Sequence, residues 1–301
     1  MIGGVPLGTL EATGAAPGVL GLHGFGATPE EVRMIVELAR ELGLRALAPL
    51  LPGHGQSVHA LAVSRWSDWR RGAEAGLDAL LKAGAGPVIV VGSSMGSLLA
   101  LELAADRPDD VLAIGILASP IRLRWPFPAL GLQLMAALGL PDFALPKAGV
   151  DIRDAVQRHT QVTYDAQPAY AGNELRLAGR RLEARLGEIR CPAFIAHGRR
   201  DHVCPVNNAR RVYAGLGTPA WEKELLILPR SYHIITRDIE RGQLRMHLHR
   251  FLSRVLPLSR AQRAAEAPGA GAEGAARPQR PVDPYPPAAL PVSDRLSASS
   301  N

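Results

Sequence analysis

Five residues in the first half of the chain, Gly92-Ser93-Ser94-Met95-Gly96, have the composition and spacing of a nucleophile turn. A serine with glycine two places before and two places after it suits a tight strand-to-helix reversal. There the missing Cβ atoms let the backbone pass and the hydroxyl stands clear. This spacing selects Ser94, because its neighbour Ser93 lacks glycine at either distance. In a chain of 31 glycines such a match also arises by chance, so its setting decides. Pro87-Val88-Ile89-Val90-Val91 just before it reads as an all-apolar strand, and the small-residue stretch 95–105 after it reads as a helix.

A serine hydroxyl needs an adjacent base, and nine histidines are available. His233, in Pro229-Arg230-Ser231-Tyr232-His233, follows the last expected strand and is the candidate. His23 ends an early strand, where it suits the shaping of a loop, and His54 and His59 lie in the loop after the next strand. His247 and His249 are two apart on the final helix, face different ways and make no metal pair. His197 and His202 flank the candidate acid, Asp201, in Gly198-Arg199-Arg200-Asp201-His202-Val203-Cys204-Pro205. That position also suits an ordinary helix cap. As a triad acid, Asp201 would hold one tautomer of His233 and stabilise the imidazolium. The oxyanion needs two backbone donors. One is the Met95 amide at a helix N-terminus, and the other is the Phe25 amide in His23-Gly24-Phe25-Gly26. No cluster has metal-ligand spacing, and neither a metal nor an organic cofactor is expected.

These residues must be positioned by alternating strands and helices. Val19-Leu20-Gly21-Leu22 reads as a buried strand. Thr28 is expected to cap the following helix, with Pro29 at its first position and Glu31 completing a capping box, and the helix should end at Gly43. Further strands are expected over 45–50, 111–117, 193–196 and 224–228, and helices over 68–82, 206–214 and 238–255. The alternation indicates an α/β chain with a mostly parallel, doubly wound sheet. Residues 1–120 and 189–256 form this core, and 121–188 interrupt the rhythm as an inserted helical cap. Trp125, Phe127, Leu132 and Met135 of the cap are expected to form an acyl pocket, the alternative being that they pack only within the cap. Residues 257–301, rich in Ala, Pro, Ser and Arg without periodicity, are expected to be a disordered tail.

Composition narrows the classes. At 301 residues and 47% hydrophobic, the chain can bury a full core. No run reaches the roughly 20 apolar residues of a membrane span, and no basic stretch precedes an apolar one at the N-terminus, so a cytoplasmic protein is expected. The two cysteines, Cys191 and Cys204, make no disulfide framework. The net charge of +6 comes from scattered arginines, with only Lys82, Lys147 and Lys223 as lysines. No basic helix face or stacking platform suits nucleic acid.

The segments LHGFGATPEEVR, PLLPGHG, VVGSSMGS, HGRRDHVCP and SYHIITRD, in this order, resemble the bacterial carboxylesterases of the α/β-hydrolase superfamily, close to the monoacylglycerol lipases. The resemblance covers about residues 17 to 255. It implies the α/β-hydrolase fold with an inserted helical cap, and the chain order Ser94, Asp201, His233. It also implies hydrolysis of short- to medium-chain acyl esters through an acyl-enzyme, with a small-molecule ester as partner. A monoacylglycerol lipase or an acyltransferase on the same triad is the nearest alternative. A non-catalytic ligand-binding protein of the same fold is the more distant one. Two departures stand out. Tyr232 precedes His233 where glycine is usual, which would narrow the site or add a hydrogen-bond donor. The chain before Val19 is short for two leading strands, so six or seven strands are expected.

Overall fold

A strand that is apolar at every position has to be covered on both faces, and this requirement organises the molecule. The computed structural model describes residues 8–124, 126–147 and 149–266. The chain begins with β1 (Leu10–Ala12), β2 (Ala15–Leu22), α1 (Arg33–Glu41), β3 (Leu44–Ala48), α2 (Val58–Val63) and α3 (Trp66–Lys82). It continues through β4 (Val88–Ser93), α4 (Met95–Asp106) and β5 (Val111–Leu117). The insertion then supplies α5 (Ala129–Ala137), β6 (Ala144–Pro146), α6 (Ala155–Thr160), β7 (Ala166–Pro168) and α7 (Ala169–Arg185). Last come β8 (Ala193–Gly198), α8 (Asn207–Gly215), β9 (Lys223–Leu228) and α9 (Arg241–Glu266).

Seven strands form one sheet in the order β1-β3-β2-β4-β5-β8-β9. All neighbours run parallel except β1, which pairs antiparallel with β3 through Leu10↔Ala48 and Ala12↔Ala46. The short N-terminal segment therefore still supplies a leading strand, only three residues long.

Alternation along each strand sorts the core into two layers. Leu20, Leu22, Val90, Ile114, Ile116 and Ile195 point to α3, α4, α7 and α8, with Trp69 and Leu77 fully buried among them. Val19, Ile89, Val91, Phe194 and Ala196 point the other way, to Ile35 and Leu38 of α1 and Leu248, Phe251 and Leu252 of α9. The rings of Phe194 and Phe251 lie 5.8 Å apart and close that second layer.

Three expectations need correction. Glu31 makes no capping box: Thr28 has no side-chain cap bond, and Pro29–Val32 is a 3-10 turn ahead of α1. The Glu31 carboxylate turns inward and accepts the Gly24 amide at 3.0 Å, a buried donor that would otherwise have no partner. The insertion is not purely helical, because β6 and β7 pair antiparallel through Leu145↔Gln167. The insertion also joins the main core. Ala171, Leu175, Ala178 and Leu182 of α7 are buried in the main core, since the apolar side of α4 needs cover there. Finally, α9 runs on to Glu266 with Pro257 inside it, so helix continues past the expected boundary at 257. The Ala-rich stretch after Pro257 favours helix. The rest of the expected tail, 267–301, lies outside the described residues. Among the described residues no helix is long and apolar enough to cross a membrane.

Because Phe251 joins α9 to the sheet, Phe251→Ala should lower unfolding free energy by about 3–5 kcal/mol. Urea denaturation followed by circular dichroism measures this; a change below about 1 kcal/mol would show that α9 contributes little.

Candidate active site

Ser94 stands between β4 and α4 at φ 50° and ψ −118°, a conformation that L-residues with a side chain rarely adopt. The sequence around it makes this possible. A Cβ on Gly92 would lie 2.0 Å from the Gly96 carbonyl oxygen, and one on Gly96 would lie 2.0 Å from that of Leu22. The turn is pinned by the Ser94 amide donating to Leu117 O at 2.9 Å. The Ser97 hydroxyl donates to Ser94 O at 2.6 Å. Ser93 is buried, whereas Ser94 is partly open to the cavity above it.

His233 reaches this serine from the loop after β9. Its Nε2 accepts the Ser94 Oγ proton at 2.9 Å, and its Nδ1 proton is donated to Asp201 Oδ2 at 2.7 Å. The carboxylate of Asp201 is fully buried and saturated with donors. Oδ1 accepts the amides of Val203 at 2.8 Å and Cys204 at 2.7 Å, and Oδ2 also receives His197 Nε2 at 2.9 Å. Burial alone would raise the Asp201 pKa. The charges and hydrogen bonds of His233 and His197 outweigh it and hold the carboxyl well below its ordinary range. Burial would likewise lower the pKa of His233, but the Asp201 charge and hydrogen bond, with Asp151 and Glu31, carry it above 6.5.

The two loops meet because glycine lets them. A Cβ on Gly198, at the end of β8, would lie 2.0 Å from Tyr232 O. The insertion braces the same place: Asp151 Oδ2 accepts the amides of His202 at 3.0 Å and His233 at 3.1 Å. From the other side, Asp238 Oδ2 accepts the Tyr232 amide at 2.6 Å. Tyr232 does not narrow the site; its ring packs edge-on against His202, with centroids 4.6 Å apart, and it is not among the cavity-lining residues.

Phe25 lines the cavity with Ser94, and Met95 follows Ser94 at the start of α4. Among the described residues neither amide is bonded to a protein acceptor, as an oxyanion hole requires. His23 shapes the Phe25 loop: its Nε2 accepts the Leu51 amide at 3.1 Å and its Nδ1 pairs with Gly24 O at 3.0 Å. Burial and the neighbouring His54 hold the His23 pKa down to about 3, so this ring stays neutral.

A cavity of ≈ 440 Å³ opens over Ser94 and His233. Phe25, Leu123, Leu145 and Leu175 line it with apolar surface, while Lys147, Asp151, Gln161 and Thr163 give it polar surface. Three of the expected acyl-pocket residues do not line it. Leu132, Phe127 and Met135 pack with Tyr170 and Phe143 in a small core of the insertion's own, because α5 stacks on α7 away from the cavity. Trp125 lies outside the described residues. Asp201, Cys204 and His233 could in principle hold an ion, their ligand atoms being within 4.8 Å of one another. Asp201 and His233 already bind each other, however, and burial pushes the Cys204 thiol well above its usual range. Sequence reasoning gave three bonded neighbours no part here: His197 was placed only as flanking Asp201, Glu31 as a cap partner and Asp151 not at all, since folding alone brings them to these loops.

The chain matches the family described as Serine aminopeptidase, S33, over residues 15–240. It belongs to that family, within the α/β-hydrolase superfamily. It is 31% identical over 227 residues to a thermostable monoacylglycerol lipase of a Bacillus species, covering 75% of this chain and 86% of that protein. It is 24% identical over 243 residues to a carboxylesterase of Bacillus subtilis, covering 80% and 94%. Among solved structures, that of the metagenome-derived lipolytic enzymes LipS and LipT superposes with a TM-score of 0.74 at 29% identity. It covers 82% of this chain and 98% of the other.

Because Ser94 faces the cavity and Ser93 does not, an alkyl fluorophosphonate should form a single adduct, mapped by peptide mass spectrometry to Ser94. Labelling needs neutral His233. Its rate should therefore fall with decreasing pH through an apparent pKa above 6.5, the direction in which Asp201 and its neighbours move this histidine. An adduct on Ser93, or a rate independent of pH between about 5 and 9, contradicts this geometry.

Proposed function

We propose that this protein is a carboxylic ester hydrolase acting on short- to medium-chain acyl esters through a covalent acyl-enzyme. The observation that carries this reading is the unbroken relay from Ser94 Oγ to His233 Nε2, and from His233 Nδ1 to Asp201, beside two unpaired amides. Ser94 attacks the ester carbonyl as His233 takes its proton. The negative charge on the carbonyl oxygen is received by the Phe25 and Met95 amides, the latter at the positive end of α4. Collapse of the tetrahedral species expels the alcohol, which leaves with the proton from His233. Water then enters, gives its proton to the same nitrogen and releases the acid, restoring Ser94. Asp201 keeps its charge throughout and favours the His233 tautomer that accepts at Nε2.

The cavity supports the substrate class. Its volume of ≈ 440 Å³ lies in the lower half of the range for small-molecule sites, roughly 300–1,000 Å³, which suits modest acyl chains. Apolar walls beside a polar stretch at Lys147, Gln161 and Thr163 suit an ester of an apolar acid with a hydrophilic alcohol. The similarity to a monoacylglycerol lipase and a carboxylesterase agrees with this chemistry.

A graded panel of p-nitrophenyl and glycerol esters, with an aminoacyl anilide for comparison, tests the reading. Ester turnover should dominate, with an optimum below long-chain acyl groups; preferential anilide cleavage overturns it. Ser94→Ala and His233→Ala should each lower kcat by roughly 10⁴–10⁶ with circular dichroism unchanged. Asp201→Asn should cost about 10⁴ through the wrong His233 tautomer. Near-normal turnover in any of the three removes that residue from the triad.

Leu145 and Leu175, not Leu132 or Met135, should set acyl preference. Alanine at either cavity residue should change kcat/KM unevenly along the ester series, by about 1–3 kcal/mol for each acyl methylene left without an apolar wall. Leu132→Ala should lower stability and affect every chain length alike. Equal losses across the series for Leu145→Ala and Leu175→Ala would place the acyl group elsewhere.

A further inference from the structure

The catalytic reading leaves one buried ionisable group unused. Glu31 is 3% exposed, has no Lys or Arg within salt-bridge distance among the described residues, and lines the cavity beside Ser94. A carboxylate is costly to bury unless its bonds have a use. Its contacts fall on the two segments that carry the oxyanion donors. Oε1 accepts the Gly24 amide at 3.0 Å, one residue before Phe25. The Ser93 side chain, two residues before Met95, is close enough to favour the charged form of this carboxyl. The packing is close on the same side: a Cβ on Gly24 would stand 2.9 Å from Glu31 Oε1 and 3.2 Å from Ser94 Cβ. Burial raises the Glu31 pKa, opposed by the Gly24 and Ser93 contacts and by His233 and Lys147.

We infer that Glu31 is a positioning residue of the oxyanion hole, its carboxylate tying the Gly24 loop to the Ser93 end of β4 and so setting the separation of the Phe25 and Met95 amides. The inference rests on the ester-hydrolase reading and adds to it a residue that acts through the two segments it contacts, with no bond to the Ser94 hydroxyl or the His233 ring. β2 and β4 are paired only as far as Leu22↔Gly92, so beyond that register no ladder bonds join the two segments. Phe25 and Met95 both lie past this point. A side chain that bridges the gap limits how far the two donors can drift as charge develops on the substrate oxygen. Such geometry is sensitive, since a displacement of about 1 Å can cost a hundredfold in rate.

The test compares Glu31→Gln with Glu31→Ala, counting competent sites by fluorophosphonate titration. Glutamine keeps an acceptor for Gly24 and a donor to the Ser93 oxygen, while alanine removes both arms. Glu31→Ala should lower kcat about 10- to 100-fold with KM within about twofold, the split expected when only transition-state stabilisation is weakened. Affinity for an alkylboronic acid, which mimics the tetrahedral species, should fall by a similar factor. Glu31→Gln should restore kcat to within about threefold of the parent. Unchanged kcat in Glu31→Ala, a loss confined to KM, or equal damage from glutamine and alanine would each overturn the inference. Should Glu31→Ala fail to fold, Ser93→Ala removes one arm alone. It should lower kcat severalfold at unchanged KM and melting temperature, and an unaltered kcat overturns the inference there too. Full activity in Ser94→Ala would instead defeat the ester-hydrolase reading itself, whatever the Glu31 variants do.

Discussion

Everything in the site depends on how closely the start of α4 can approach the end of β2. Ser94 is held at φ 50°, and a strained non-glycine residue persists only where its surroundings over-determine it. Here Gly96 presses on Leu22 O and Gly92 on Gly96 O, at separations no side chain could share. The approach turns the serine hydroxyl outward and aims the first amide of α4 at the same space. It also brings the His23-Gly24-Phe25 loop alongside. The proposed nucleophile and oxyanion donors thus follow from one approach between backbones, and the buried sheet supplies the rigidity that holds it.

Charge in this environment is arranged by donors more than by exposure. Asp201 keeps its negative charge at full burial because four N–H groups point at it, two from the backbone and two from histidines. That fixed charge makes His233 more basic than a free imidazole although burial works against it. His23 and His54 lie equally deep with no carboxylate bonded to them, and burial keeps both well below 6.5. One residue type therefore serves as a base in one loop and as a neutral brace in another.

The insertion does more than cover the cavity. α7 completes the core beside α4, and Asp151 fastens the segment ahead of α6 to the loops of Asp201 and His233. Tyr164 makes a comparable link on the far side, donating to Gly53 O at 3.1 Å and accepting the Gln56 amide at 3.0 Å. Leu145 and Lys147, which line the cavity, are carried on this same insertion.

The sequence by itself determined the strand-helix alternation and the nucleophile turn, because these follow from local rules: period-two burial, glycine where a Cβ cannot fit, and chain order. That Ser94, Asp201 and His233 come together was legible for that reason. Only the tertiary structure decided which side of α5 is buried. Its residues are almost uniformly apolar and uncharged, so periodicity carries no direction, and Leu132 and Met135 turned to the insertion's own core. Glu31 was misjudged for a related reason. Its spacing from Thr28 satisfied a local capping rule, yet a buried amide at Gly24, seven residues away, competed for the carboxylate and won. Long-range partners of buried polar groups leave no mark in a single sequence, because any chain distance can close once the core has formed.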